Sequence, residues 1–243
     1  LQVVQGFLLT LSFKFATKLI FLNPDDPKDL LKTTLFSKSK VEVLGGIGLE
    51  LLDYPYLKPD ISKPMRFIFV ARLLAEKGIY QLIEAIKLVQ KKYPSTELVV
   101  LGELDKDNSA SLTKEDLDNL IKQEIIIYPG QVSNVNKWLN DSHVFVLPSY
   151  YREGVPRSSQ EAMAVGRPIL TTDVPGCRET VVDGENGFLV PAFDVKKLSE
   201  KMIWFIQNPA KIESMGLASR CIAEEKFDVH KANTKMLKIM GIK

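Results

Sequence analysis

Sulfur and imidazole are scarce in this chain: Cys177 and Cys221 are its only cysteines, and His143 and His230 its only histidines. With no Cys-x-x-Cys pair and no histidine cluster, neither a zinc site nor a disulfide framework has a basis, and a reducing compartment is the default. An excess of one charge is missing as well. Against 32 basic residues stand 30 acidic ones, a formal charge of +2, which excludes nucleic-acid recognition through a broad cationic field and makes any cationic site local. Long apolar runs are also lacking. The opening LQVVQGFLLTLSFKF is short, is broken by glutamines and Lys14, and has neither a basic start nor a small-residue cleavage site. It therefore reads as neither a membrane span nor a signal peptide. Without a Gly-x-Gly-x-x-Gly fingerprint, a nicotinamide reading loses its main support.

What is present is a chain of 243 residues, 45% hydrophobic and 26% charged, enough for one large or two ordinary globular domains. Between residues 65 and 190, β-branched runs alternate with helical periods. That pattern predicts an α/β domain, a Rossmann-like parallel sheet with helices on both faces. RFIFVA (66–71), ELVVLG (97–102), EIIIYPG (124–130), HVFVLP (143–148) and PILTT (168–172) read as strands. The spacing of Ile79, Leu82, Ile83, Ile86 and Val89 predicts a helix that stops at Tyr93-Pro94. Further helices are expected over 113–122, 133–141 and 156–165, with Thr113 and Ser133 as N-caps and Pro156 at a first helical position. Before this stretch come a helix (3–14), the strand KLIFLN, the helix DDPKDLLK, the strand KVEVLGG and the proline-spaced linker DYPYLKPDISKP. After residue 194 three helical segments follow, VKKLSEKMIWFIQ, AKIESMGLASRCIAEEKF and VHKANTKMLKIM.

In a parallel sheet with right-handed crossovers all strands end at one edge, so the loops that follow them converge. Segments 71–78, 102–105, 129–133, 148–156 and 171–179 should therefore form one crevice. Arg72 and Lys77 bracket its first loop, beside a helix start that favours an anion; two cations there suit a diphosphate, although alone they read equally as solvated loop charges. Glu153 lies on the fourth loop and Glu161 inside the helix after it. A carboxylate accepts two hydrogen bonds and suits the paired hydroxyls of a ribose or hexose, while the N–H groups around Arg157 and Ser158 suit a phosphate and Gly154 permits close backbone approach. In isolation, a solvated helix face is the commoner explanation for such a pair of glutamates. A glycoside hydrolase would place its carboxylates on two sides of one bond, roughly 5–10 Å apart; two glutamates on one rim grip one ligand at two places instead. The AMAVG run lets its helix lie close to the sheet, Cys177 reads as a packing thiol rather than a nucleophile, and His143 packs where its strand begins.

FIFVARLLAEKG, PSYYREGVPRSSQEAMAVGRPILTTDVPGCRETV and DGENGFLVP, in this order, resemble the retaining glycosyltransferases of family 4, two-domain GT-B enzymes that use nucleotide sugars. The PGCRE variant looks most like the bacterial branch that extends lipid-linked capsule, O-antigen or glycan precursors. The likeness runs from about Lys18 to the C-terminus. It implies that 1–45 is the tail of an N-terminal acceptor domain, 46–64 a hinge, 65–225 the nucleotide-sugar-binding domain and 226–243 a helix crossing back to the first domain. It further implies that Arg72 and Lys77 hold the diphosphate, that Glu161 binds the ribose hydroxyls, and that Glu153 faces the donor sugar and supports the positive charge developing at its anomeric carbon. Gly130, Gln131 and Val132 would meet the base. Gly154 and Val155, with Pro156 and Arg157, would complete the donor site through their backbone and the helix start.

The resemblance implies no metal and no resident cofactor, since cations and a helix terminus stabilise the leaving diphosphate. It favours a UDP-sugar as cosubstrate, hexosyl or N-acetylhexosaminyl transfer with retention by front-face attack, a glycan or lipid-linked acceptor, and a cytoplasmic place, peripheral at the inner face of the membrane. Where the family often reads Gly-Ser-Gly-Val-Asp at the hinge, this chain has GGIGLE, with Gly48 read in place of the acid. The lack of an initial methionine and the brevity of 1–45 lead to the expectation of a fragment whose acceptor domain is mostly missing, able to bind donor without turning it over. The alternative is a donor-binding module or subunit of a split transferase, inactive without an acceptor domain. A third reading, an epimerase or phosphorylase on the same fold, has less behind it, because no pyridoxal phosphate lysine motif occurs.

Overall fold

The computed structural model describes residues 2–242 except Thr33, Phe36, Lys106 and Asp107; the side chains of residues 2–5 and 7 also lie outside the description. Helix α1 (Gln2–Phe15) leads to strand β1 (Leu19–Phe21), the short helix α2 (Asp25–Leu30) and strand β2 (Val41–Val43). β1 and β2 pair in parallel as a two-stranded sheet of their own. A linker with one 3-10 turn (Leu51–Asp53) then reaches the main sheet.

The main sheet has six strands: β3 (Arg66–Val70), β4 (Glu97–Leu101), β5 (Ile127–Gly130), β6 (Val144–Leu147), β7 (Ile169–Thr172) and β8 (Gly187–Val190). All pair in parallel, in the order β5-β4-β3-β6-β7-β8. Helices α3 (Ile79–Lys92), α4 (Lys114–Lys122), α5 (Val135–Asn140) and α6 (Arg157–Ala164) supply the crossovers, and α7 (Val195–Gln207), α8 (Ala210–Lys226) and α9 (Val229–Met240) close the chain. α3 packs on α7 and α6 on α8. Strands covered on both faces read as unbroken apolar runs, and every residue of β6 and β7 is buried. Edge strand β5 alternates exposed with half-buried positions.

Several boundaries differ from the sequence expectation, each for a local reason. The strand expected from residue 124 starts at Ile127, because α4 ends in a left-handed cap. Glu124 takes φ 57°, its amide donates to Ile121 O and the Ile125 amide to Leu120 O, a Schellman pattern without glycine. Thr113 caps α4 as expected, its hydroxyl accepting from the Asp116 amide. Ser133 does not cap α5; Asn134 does, accepting from the Lys137 amide. Pro156 stands one place before the first helical residue of α6: its ψ of 124° is extended, and its carbonyl accepts the first helical bond from Gln160.

The hinge reading is corrected too. Gly48 has φ +76°, and a Cβ there would meet Val229 Cα at 2.8 Å, so the start of α9 leaves no room for an acid at this point. Aligned on its glycines, GIGLE places the hinge acid at Glu50, whose carboxylate accepts from the Leu52 amide and lies 3.0 Å from His230 Nε2. α9 is joined to the opening unit where Lys235 donates to the Leu44 carbonyl. The linker is seated by His143, whose Nδ1 accepts from the Arg66 amide and whose Nε2 lies 2.9 Å from Asp60 O. Burial lowers its pKa, so the neutral ring with its proton on Nε2 fits both bonds. Arg167 is fully buried and forms no ion pair among the described residues. Its guanidinium donates to the carbonyls of Leu139, Asn140 and Gly166, and burial brings its pKa down to about 10.

Candidate functional site at the switch of the main sheet

From β3 the chain winds outward through β4 to β5, and from β6 outward through β7 to β8. The carboxyl ends of β3 and β6 therefore flank the point where strand order reverses, the place where an open α/β sheet offers a crevice. The loops of these two strands meet there at Gly78, which caps α3 with φ +79°. A Cβ on Gly78 would come 2.0 Å from the Pro148 carbonyl oxygen, so only glycine permits the approach.

That approach brings Lys77 to Glu153. Lys77 Nζ lies 2.5 Å from Glu153 Oε1, both side chains largely buried at 19% and 12% exposure. Ser149 Oγ donates to the same oxygen at 3.0 Å and to Glu76 O. At the start of α6, Arg157 Nε and Tyr54 Oη both donate to Glu161 Oε1 at 3.0 Å. Glu161 Oε2 has no hydrogen bond among the described residues and remains free to accept. The carboxylate in turn raises the Tyr54 pKa, after burial the largest cause. The amides of Arg157, Ser158 and Ser159 precede the first helical bond of α6, which Gln160 makes, and as the leading donors of a helix they suit an anion.

The structure thus brings together Lys77, Glu153, Gly154, Val155, Pro156, Arg157 and Glu161. Arg72 stands apart from this group: its side chain is 60% exposed and faces Asp105 at 3.7 Å. Gly130 takes φ +84° and accepts from the Gly102 amide, followed by exposed Gln131 and half-buried Val132 at the next loop. Cys177 is fully buried beneath the site, where burial pushes its thiol up to about 12, so at neutral pH it is a packing group. Among the described residues no cluster of three or more His, Cys, Asp or Glu side chains is placed to hold a metal.

Several residues at the site escaped the sequence reading. Ser149 and Tyr54 carry no local signal, since their role comes from the fold bringing a strand end and a linker to the two glutamates. Glu179 faces a cavity of about 320 Å³ that it shares with Gly45, Phe227 and Lys235, and burial raises its pKa. Asn23, in LNPDD, carried the one usable signal, an amide side chain before a helix start; its reach to the Glu153 loop is described below.

Comparison with known proteins bears on this geometry. Capsular polysaccharide biosynthesis glycosyltransferase CapM of Staphylococcus aureus is 32% identical over 245 residues, covering 93% of this chain and 64% of CapM. The N,N'-diacetylbacillosaminyl-diphospho-undecaprenol alpha-1,3-N-acetylgalactosaminyltransferase of Campylobacter jejuni is 27% identical, covering 85% of this chain and 56% of that enzyme. The chain thus spans somewhat under two thirds of these relatives. Among solved structures, HepE of Anabaena in complex with UDP superposes with a TM-score of 0.87 at 20% identity, over 99% of this chain and 68% of that one. Sucrose-phosphate synthase of Thermosynechococcus elongatus does so with 0.82 at 20% identity, over 98% and 61%. These likenesses show the fold, the GT-B class with its Rossmann-like parallel sheet. Residues 58–221, which hold the switch-point crevice with Lys77, Glu153 and Glu161, match the family model of the glycosyl transferases group 1, and the chain belongs to that family.

Proposed function

We propose that the chain binds the nucleotide-sugar donor, a UDP-sugar, for a retaining glycosyltransferase of surface polysaccharide or glycoconjugate synthesis, with a glycan or lipid-linked diphosphate sugar as acceptor. The observation that carries the reading is the meeting of Lys77 with Glu153 at the β3/β6 switch, beside the open start of α6 and a glutamate with a free oxygen. Support for the acceptor class comes from relatives whose names specify capsular polysaccharide and a diphospho-undecaprenol sugar. Support for uridine comes from a structural neighbour that holds UDP.

In this reading Glu161 Oε2 takes the ribose hydroxyls. Its other oxygen is already held by Tyr54 and Arg157, so the carboxylate is oriented before ligand arrives. The α6 amides and Lys77 receive the diphosphate, and Arg72 swings from Asp105 to join them. These fixed positive ends stabilise the charge that grows on the diphosphate as the sugar–phosphate bond breaks. Glu153, no longer neutralised by Lys77 alone, supports the positive charge at the anomeric carbon. The acceptor hydroxyl attacks from the face the diphosphate leaves and passes its proton to the departing phosphate oxygen, so configuration is retained. No step calls on a metal.

The test is product analysis by NMR, with UDP-sugar and a lipid-linked diphosphate acceptor. An α-linked donor should give an α-linked product, and Glu153→Gln should lower turnover about a hundredfold or more. An inverted product, or full turnover in the Glu153→Gln chain, would contradict the reading.

A further inference from the structure

Against the loop that carries Glu153 sits the start of α2, where Asn23, Asp25, Asp26 and Asp29 each meet a residue of the main domain. Asn23 is completely buried. Its Oδ1 accepts the amides of Asp25 and Asp26, starting α2, while the two hydrogens of its Nδ2 serve three acceptors, Asp26 Oδ2 at 2.9 Å and the neighbouring carbonyls of Glu153 and Gly154 at 3.0 and 3.2 Å, so that one hydrogen is shared. One side chain thus starts a helix and holds two consecutive carbonyls 130 residues away. The seat is tight: a Cβ on Gly154 would come 2.6 Å from Leu22 Cδ1. Two arginines flank the same loop. Arg152 reaches Asp29 and Asp26 at 2.5 and 2.8 Å, and Arg178 reaches Asp25 at 2.6 Å while also binding Asp173.

We propose that Asn23 is a positioning residue for Glu153, holding its loop from the opening unit, and that Arg152 and Arg178 seat that unit through Asp25, Asp26 and Asp29. The inference rests on the reading of Glu153 as the carboxylate that faces the donor sugar. Two independent sets of bonds fix that residue. Lys77 and Ser149 hold its carboxylate from within the main domain, and Asn23 holds its backbone from the opening unit. Neither alone fixes both the height and the direction of the side chain. Parting the opening unit from the main domain would break the Asn23 set and all three arginine contacts together and leave the Lys77 set, which lies within the main domain. The position of the Glu153 loop therefore depends on the opening unit staying seated. Because the Arg152 pairs are solvent-exposed and the Arg178–Asp25 pair is half-buried, salt weakens the first most and leaves the buried amide bonds.

Asn23→Asp is the informative variant: it keeps Oδ1 to start α2, removes the donor to both carbonyls and turns a carboxylate oxygen towards them and towards Asp26. Arg152→Gln, on the surface, serves as the second. In the full chain, hydrogen exchange of the Glu153 amide, which donates to Pro175 O, should quicken about tenfold in Asn23→Asp, while β3 and β6 amides stay at wild-type rates. Arg152→Gln should quicken it less, and raising the salt should reproduce that effect in wild type. Wild-type exchange at Glu153 in both variants, or a uniform rise across the sheet, overturns the clamp.

Calorimetry with UDP and UDP-N-acetylgalactosamine adds a readout that a merely structural role would not move. Asn23→Asp should weaken the sugar nucleotide about tenfold and UDP less than about threefold, with no further loss when combined with Glu153→Gln. Equal losses for both probes count against positioning. A Glu153→Gln chain with undiminished affinity for the sugar nucleotide instead contradicts the role given to Glu153, and the exchange measurement then decides the clamp on its own.

Discussion

The main sheet and the opening unit contribute to the same cleft by opposite means. β3, β6 and β7 are buried on both faces, and Phe67, Ile68, Phe69 and Phe145 are fully enclosed. The loops at their ends are anchored to that core, and there Lys77 and Glu153 pair with side chains only 19% and 12% exposed. Among its described residues the opening unit has no comparable core: Ile20 of β1 is 37% exposed and Phe15 at the end of α1 is 80% exposed. A two-stranded sheet is marginal on its own. Its hold on the site is polar, through Asn23 and three aspartates of α2. The contrast teaches that one side of the cleft is set by packing and the other by hydrogen bonds and charge, so different perturbations should reach each.

The largest expected effect is in the core. Phe145→Ala should lower stability in urea by about 3–5 kcal/mol, whereas Phe15→Ser should change it by less than about 0.5 kcal/mol. Comparable losses from the two would erase the distinction. Next come the two cations. Lys77→Ala, which removes a nearly buried partner of Glu153, should cost about tenfold to a hundredfold in nucleotide affinity by calorimetry; exposed Arg72→Ala should cost less. A reversed order would move the centre of the diphosphate site towards Asp105. Thiol chemistry sharpens the picture further. In the native chain a disulfide reagent at pH 8 should titrate exposed Cys221 and leave Cys177 untouched until denaturant is added.

The smallest effect concerns pH. Burial raises the pKa of Glu179 in the fold above its ordinary 4.5. The folded chain therefore binds that proton more tightly than the unfolded chain. The resulting stability is present below the ordinary pKa and lost as pH rises through the folded value. Glu179→Gln should raise Tm relative to wild type at pH 7 and not at pH 4; the opposite order would place Glu179 in water.

Much of the main domain was legible because its signals are local. β-branched runs marked five strands, and apolar spacing marked α3. The convergence of loops then followed from strand direction alone. The candidate carboxylates were legible as a resemblance, and their partners were not. Tyr54 reaches Glu161 over 107 residues, and Ser149 meets Glu153 four residues on within an irregular loop; neither has a periodic pattern of its own. Ser133 and Asn134 are both good caps on paper, and backbone geometry, which spacing does not report, chose the second. Glu124 shows the same limit, since a non-glycine residue took the left-handed cap that ends α4.

The central claim is that the β3/β6 switch with α6 forms a uridine nucleotide site in which Glu161 takes the ribose. Calorimetric titration of the chain with UDP, GDP and ADP, native and as Glu161→Ala, tests it most directly. The account predicts that UDP binds in preference to the other two and that Glu161→Ala weakens it by about tenfold or more. Equal binding of the three nucleotides, or an unchanged UDP affinity in the Glu161→Ala chain, would contradict it.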